Sequence, residues 1–345
     1  MLTTFELRCP NHMAPLLVQN PEHKEATSRG SLVCSYQCKF PVVSGVPRFV
    51  PNKTYASAFG LQWKRFRKVQ LDSYTGTTIS RDRLARCLGF PLNLLGGMKV
   101  LEAGCGAGRF TELVLSAGAH VFACDLSDAV EANRENCRSY SNYFVCQADI
   151  LKLPLAPSQF DVVIALGVIQ HTPNPERTIE ALCSQLKEGG LLVMDHYTYG
   201  YPTTLSRRVL RSILVKGSGS FSIGFCEILV RSLWPEHRFL WKMRHRAGIR
   251  RIREYFVNIS PVVDYHDAYP QLGPKLLRDW AILDTHDTLT DVYKHLRSKE
   301  EIKDHLHRCG MVDVEAVYAG NGVEARARKP IGKRLTGQGR KGALE

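Results

Sequence analysis

One short stretch limits the possible folds more than any other: Val100-Leu101-Glu102-Ala103-Gly104-Cys105-Gly106-Ala107-Gly108-Arg109-Phe110. An apolar run that ends in an acid, followed by three alternate glycines, reads as a strand turning sharply into a helix. Glycine lets backbone N–H groups at such a turn come close to a ligand. The dinucleotide fingerprint needs its third glycine three residues after the second, and Arg109 stands there. The acid before the turn suits a cationic or amino-bearing ligand better than a pyrophosphate.

The flanking sequence repeats the strand-then-helix theme. Strands are expected at Lys99 to Glu102, His120 to Asp125, Tyr143 to Cys146, Phe160 to Leu166 and Leu191 to His196. Helices are expected at Gly108 to Ser116, Asp128 to Ser139 and Glu176 to Leu186, the last stopped by Gly189-Gly190. After an interruption at 200–297 the pattern resumes with a helix from Ser298 to Cys309 and strands at Val312 to Tyr318 and Val323 to Ala327. Strands separated by helices of this length imply an α/β fold, a doubly wound parallel sheet with right-handed crossovers. Hydrophobic residues at 44% and charged residues at 23% speak against disorder. The longest apolar run, Val162 to Ile169, is too short for a bilayer.

The segment Glu102-x-Gly104-x-Gly106-x-Gly108 resembles the cofactor loop of class I S-adenosylmethionine (SAM) dependent methyltransferases of the type 11-like group. Further segments fit that resemblance in order: Asp125 after the second strand, Ala148-Asp149-Ile150 after the third, Leu166-Gly167-Val168-Ile169-Gln170-His171 after the fourth, and Leu186 to Leu192 before the fifth. The resemblance implies a Rossmann-like, seven-stranded, mostly parallel sheet that uses SAM. Carried over to these positions, it implies a cofactor site of Glu102, Gly104, Cys105, Gly106, Asp125, Leu126, Asp149, Ile150, Leu166 and Gly167. Asp125 would hold the ribose hydroxyls, and Asp149 would accept from the adenine amino group.

Methyl transfer is an in-line displacement in which alignment supplies much of the acceleration, and a base helps a hydroxyl acceptor. Three histidines are candidates. His171 follows the fourth strand, where this fold faces the transferred methyl; His196 ends the fifth strand; His286 lies in Asp284-Thr285-His286-Asp287. The expected reaction is methylation of a small molecule at oxygen, in a bacterial biosynthetic or modification pathway. An RNA methyltransferase and a non-catalytic SAM-binding regulator are the alternatives. The Leu166-Gly167-Val168-Ile169-Gln170 loop lacks the Asn/Asp-Pro-Pro-aromatic motif of many base-methylating enzymes, which disfavours the first.

Outside the core, Cys9, His12, Cys34 and Cys38 could supply four tetrahedral zinc ligands. With Phe40 to Phe49 they resemble zinc-ribbon or Trm112-like modules, departing from them by one histidine and a three-residue spacer. The expected organisation is a ribbon at 1–52, a helical cap at 53–97, the SAM-binding core at 98–199, a substrate-lid insertion at 200–297, the end of the core at 298–330 and a basic tail at 331–345. The tail's last residues, Leu344-Glu345, look vector-derived. Eleven cysteines and the lack of a secretory pattern at the start suit a reducing cytoplasm.

The net charge of +13 is carried by two segments, 201–260 at +9 and 326–345 at +6, which leaves the rest at −2. The charge therefore concerns the lid and tail. It suits an anionic or hydrophobic small-molecule acceptor, or a membrane surface or protein partner bound through the insertion, and nucleic acid only as the alternative.

Overall fold

The computed structural model describes residues 4–19, 29–51, 54–201, 203–217, 219–320 and 322–332. The end of the basic tail, 333–345, lies outside these, as do 20–28 of the ribbon segment. Strands β1 (Leu17–Gln19), β2 (Arg29–Val33), β3 (Lys39–Val43) and β4 (Val46–Pro47) form an antiparallel sheet in that order. Ser44 and Gly45, both at positive φ, make the two-residue turn between β3 and β4, the geometry that matches strand twist in a hairpin.

Helices α1 (Ser57–Arg65), α2 (Asp72–Thr75) and α3 (Ile79–Leu88) follow, and α2 and α3 each end on a left-handed glycine, Gly76 and Gly89. The alternation then begins: β5 (Lys99–Ala103), α4 (Thr111–Ser116), β6 (His120–Asp125), α5 (Val130–Cys137), β7 (Tyr143–Gln147), β8 (Phe160–Ala165), α6 (Pro175–Gln185) and β9 (Leu186–Tyr197). Four helices interrupt it, α7 (Leu205–Leu214), α8 (Gly219–Lys242), α9 (Ala247–Ile259) and α10 (Pro274–Thr290), before α11 (Lys299–Arg308), β10 (Val312–Ala319) and β11 (Gly322–Arg328) close the sheet.

The sheet order is β10-β11-β9-β8-β5-β6-β7, with β11 antiparallel to both of its neighbours and the observed β5 to β9 pairings parallel. The expected seven-stranded, mostly parallel, Rossmann-like sheet is thus present. Both faces are covered: Leu101, Phe122 and Val163 point to one buried layer, and Val100, Val121 and Val162 to the other. From β5 the chain steps outward to β6 and β7, then returns to the other side at β8. The C-terminal ends of β5 and β8 therefore flank the switch point, where doubly wound sheets open a crevice.

Helices α4 and α5 start two or three residues later than expected, and one boundary differs in kind. The glycine pair Gly189-Gly190 does not stop α6, which ends at Gln185; it lies inside β9. There the pairing with β8 jumps from Phe160↔Leu186 to Val162↔Leu191, and a side chain at 190 would meet the Lys187 and Phe160 carbonyl oxygens at 2.9 and 3.0 Å. Glycine is needed because the bulged backbone passes so close to its neighbour.

The ribbon is fastened to the β7 edge. The Phe49 N–H donates to the Gln147 carbonyl at 2.8 Å, and buried Arg48 reaches Gln147 Oε1 at 3.0 Å and Glu131 at 2.6 Å. Phe5 packs against Phe122 and Phe160, with ring centroids 5.6 and 5.7 Å apart. Arg48→Ala would strand these partners and lower stability by about 1–3 kcal/mol. Chemical denaturation checks this, and unchanged stability would mean that the seam contributes nothing.

Candidate functional site

A cavity of about 230 Å³ opens at the C-terminal ends of β5, β6 and β8, below α1 and against the lid helices. Gly104, Gly106 and Gly108 all have positive φ. A Cβ at Gly104 would lie 2.2 Å from Val168 Cγ2, so the turn after β5 touches the loop after β8 with no room for a side chain. The Gly104 and Cys105 N–H groups donate to the Cys124 carbonyl at 2.8 and 3.0 Å, which fixes the turn on β6.

The expected cofactor residues converge on this space: Glu102, Gly104, Cys105, Gly106, Asp125, Leu126, Asp149, Ile150, Leu166 and Gly167 all line it. Asp125 accepts from the Gly106 N–H at 3.0 Å and from the Ser127 N–H and hydroxyl at 2.8 and 2.6 Å. Asp149 also caps the short turn at Ile150–Lys152 by accepting from the Leu151 N–H at 2.9 Å. Glu102 is 3% exposed and accepts from Thr111 Oγ1 at 2.5 Å, and burial pushes its carboxyl up to about 8. From above, Tyr55, Ala56, Phe59 and Trp63 of the cap form the roof.

The three candidate histidines part company. His171 lines the cavity, with Nδ1 3.2 Å from the Tyr293 carbonyl and 3.4 Å from Asp291 Oδ2. Burial alone would lower its pKa, but Asp291, Asp287 and the Tyr293 carbonyl outweigh burial and raise it. His196 is not part of the cavity wall. Side chains alternate along β9, so Tyr197 lines the cavity, Asp195 on the same face accepts from the Gly167 N–H beside it, and His196 turns away. Its Nδ1 lies 2.8 Å from the Tyr197 carbonyl, its Nε2 is enclosed without a partner, and burial depresses its pKa to about 4. His286 is likewise absent from the wall; its Nδ1 meets Gln62 Oε1 at 2.5 Å, and burial depresses it to about 4.

The lid side of the cavity holds residues that sequence reasoning missed. Leu283, Asp284, Asp287 and Thr288 share one face of α10 with Trp280, and that helical spacing was the available signal. Asp284 accepts from the Tyr265 hydroxyl and from Trp280 Nε1, the latter at 3.1 Å, and burial lifts it to about 6. Arg109 projects into the cavity, 5.1 and 5.2 Å from the Phe110 and Trp280 ring centres, and donates to Ser80 Oγ and Gln70 Oε1 at 3.0 Å each. Arg83 pairs with Asp195, which also accepts from the Gly167 N–H at 2.6 Å. This holds the β8 loop to the cap.

Two clusters lie away from the cavity. The donor atoms of Cys9, His12, Cys34 and Cys38 fall within 4.8 Å of one another, with His12 Nδ1 3.7 Å from Cys9 Sγ and 3.4 Å from Cys38 Sγ. Two tight turns present them, with Met13 and Gln37 at positive φ. In the lid, Ser260 Oγ, His237 Nε2 and Nδ1, and Asp264 Oδ2 form a chain with two 2.9 Å steps. The arrangement is like that of a nucleophile triad, but these side chains are buried and line none of the cavities described, so they brace the lid.

Comparison with known proteins agrees with this geometry. Residues 94–212 match the model of a methyltransferase domain. Over 100 residues the chain is 36% identical to a ubiquinone biosynthesis O-methyltransferase of Methylococcus capsulatus, covering 28% of this chain and 42% of that protein. Over 114 residues it is 39% identical to a malonyl-[acyl-carrier protein] O-methyltransferase of a Paenibacillus species, covering 31% and 41%. The structure of magnesium protoporphyrin IX methyltransferase from Synechocystis with bound S-adenosylhomocysteine is 16% identical, with a TM-score of 0.40 over 79% of this chain and 94% of that one. The chain thus spans about two fifths of the length of these two curated relatives. Over residues 94–212, the middle of the chain, the similarity is to a methyltransferase domain.

The raised Glu102 carboxyl gives a linkage prediction. An acid held up to about 8 disfavours folding once pH passes its ordinary value of 4.5. At pH 7 the cost is about 3 kcal/mol. Glu102→Gln removes that cost, so its melting temperature should exceed wild type at pH 7, the gain should vanish near pH 4.5, and SAM affinity should fall. A variant no more stable at pH 7 would show that Glu102 is ionised and compensated.

Proposed function

We propose that this chain transfers a methyl group from SAM to a hydroxyl of a small-molecule acceptor in a bacterial biosynthetic or modification pathway, with His171 as general base. The observation that carries the proposal is the placing of His171: in the cavity wall, beside the switch point, with Nδ1 committed to the Tyr293 carbonyl and Asp291. The O-methyltransferase names of the relatives over the core support oxygen as the site of transfer.

The residues present fit the cofactor. The glycine turn forms a cradle that side chains would fill, Asp125 and Asp149 stand at the ends of successive strands, and Glu102 is a buried acid with a single side-chain donor. On this reading Asp125 holds the ribose, Asp149 the adenine amino group, and Glu102 lies on the side of the amino-acid moiety. SAM, when bound, supplies an electrophilic methyl on a positively charged sulfur. With Nδ1–H donating to the Tyr293 carbonyl, Nε2 keeps the lone pair that takes the acceptor's hydroxyl proton. The carboxylates of Asp291 and Asp287 favour the imidazolium that results. Tyr197, Tyr201, Tyr265 and Trp280 form aromatic walls that orient a flat acceptor and exclude water.

Cys9, His12, Cys34 and Cys38 are read as ligands of a structural zinc ion, since three thiols and an imidazole are a common tetrahedral zinc set. Eleven unpaired cysteines support a reducing, cytoplasmic setting. No helix among the described residues is long and apolar enough to cross a membrane.

His171→Ala should lower turnover at least about tenfold while SAM affinity stays near wild type. The base must be unprotonated to act, so wild-type turnover should rise with pH through an apparent pKa above 6.5, and Asp291→Asn should move that limb down. A flat pH profile, or full turnover in His171→Ala, removes the histidine from the reaction. Elemental analysis of protein purified without chelators should find one zinc per chain, reduced in Cys34→Ser; a metal-free wild type would sink the zinc reading.

A further inference from the structure

The lid's outer surface carries a feature that methyl transfer does not use. Helix α9 has no buried residue, and Ile252, Tyr255 and Ile259, spaced three and four apart, are 54%, 69% and 49% exposed. Helix α7 repeats the pattern with Leu205, Val209 and Ile213 at 70%, 53% and 61%. Exposed Arg208 and Arg251 flank the two rows, one helical position to the same side of each, and neither makes an ion pair among the described residues. The acid on α9, Glu254, lies round the helix and faces Arg250 at 3.6 Å. The start of α7 is tied to the end of α9 where Ser206 Oγ, next to Leu205, donates to the Ile259 carbonyl at 2.5 Å.

We propose that this joint face of α7 and α9 docks on the surface of an anionic phospholipid bilayer. A helix with an apolar row and arginines at its border lies in the headgroup region, its apolar side chains entering the acyl boundary and its cations meeting lipid phosphates. A second copy of the chain fits less well, because a two-fold contact would set the unpaired arginines against themselves. Nucleic acid offers phosphates but no apolar layer for six exposed aliphatic and aromatic side chains. The face also borders the cavity. Tyr201 precedes α7 by four residues, and Val263 follows α9 by four; both line the site. A docked lid would therefore present the acceptor pocket close to the bilayer.

The test is sedimentation of the full chain with vesicles of phosphatidylcholine alone and of an equimolar phosphatidylglycerol–phosphatidylcholine mixture. Binding should be at least about fivefold stronger to the mixture and should weaken with added salt. Arg208→Gln with Arg251→Gln should reduce it about tenfold. Ile252→Ser with Ile259→Ser should reduce it at low salt, where charge attraction is retained. All these positions are exposed, so each variant should melt near wild type, which separates lost docking from lost fold. Equal binding to both vesicle types, or binding that neither variant alters, overturns the proposal. So does a dimer in solution that the serine variant dissociates while vesicle binding is absent. Docking is read without turnover, so it stands or fails separately from the His171 reaction.

Discussion

The contact of Gly104 with Val168 is the constraint on which the site depends. The turn after β5 and the loop after β8 meet with 2.2 Å between a hypothetical Cβ and the valine methyl, so only glycine lets these backbones close. Those two strands flank the switch point of the sheet. Their closeness puts the glycine turn and the His171 loop on the same cavity. A side chain at 104 would also need a left-handed backbone at φ 75, which costs an L residue strain in addition to the clash.

A second constraint fixes the lid over that cavity. Asp291 is fully buried and gathers Arg211 from α7 at 2.7 Å, Lys294 at 3.1 Å and His171 at 3.4 Å. Two cations on one enclosed carboxylate make removal of either partner costly, because the charge left behind has no water to turn to. The same carboxylate orients the proposed base. Lid closure and base positioning therefore share one group, and a lid displaced from Asp291 would also alter the proton affinity of His171.

The core could be read from sequence because its information is local. Acid, alternate glycines and strand ends sit at fixed separations, and the residues so identified do line one cavity. The histidines were less legible. His196 and His286 were attractive as residue types, yet strand alternation turns the first away and helix phase turns the second, exposing Asp284 and Asp287 in its place. The rest of the cavity wall includes Arg83, Arg109, Tyr197 and Trp280, whose meeting depends on how the cap and lid pack, and no spacing along the chain encodes that. The glycine pair at 189 and 190 misled for a related reason: glycine marks helix ends and close-packed bulges alike, and only the β8 neighbour distinguishes them.

The same reasoning resolves the charge of the insertion. Its +9 is one figure in the sequence but two populations in the fold. Arg207, Arg211 and Arg253 point inward: Arg207 donates to the Pro261 and Val262 carbonyls, Arg211 holds Asp291, and Arg253 pairs with Asp264 and Asp267. These guanidiniums offset buried acids and carbonyls that the lid would otherwise leave unsatisfied, so they hold the lid together and are lost to any external partner. Arg208 and Arg251 are exposed beside apolar side chains, and their charge is available outside the molecule. Net charge alone would have assigned both groups to one role; burial assigns the first to architecture and the second to a surface.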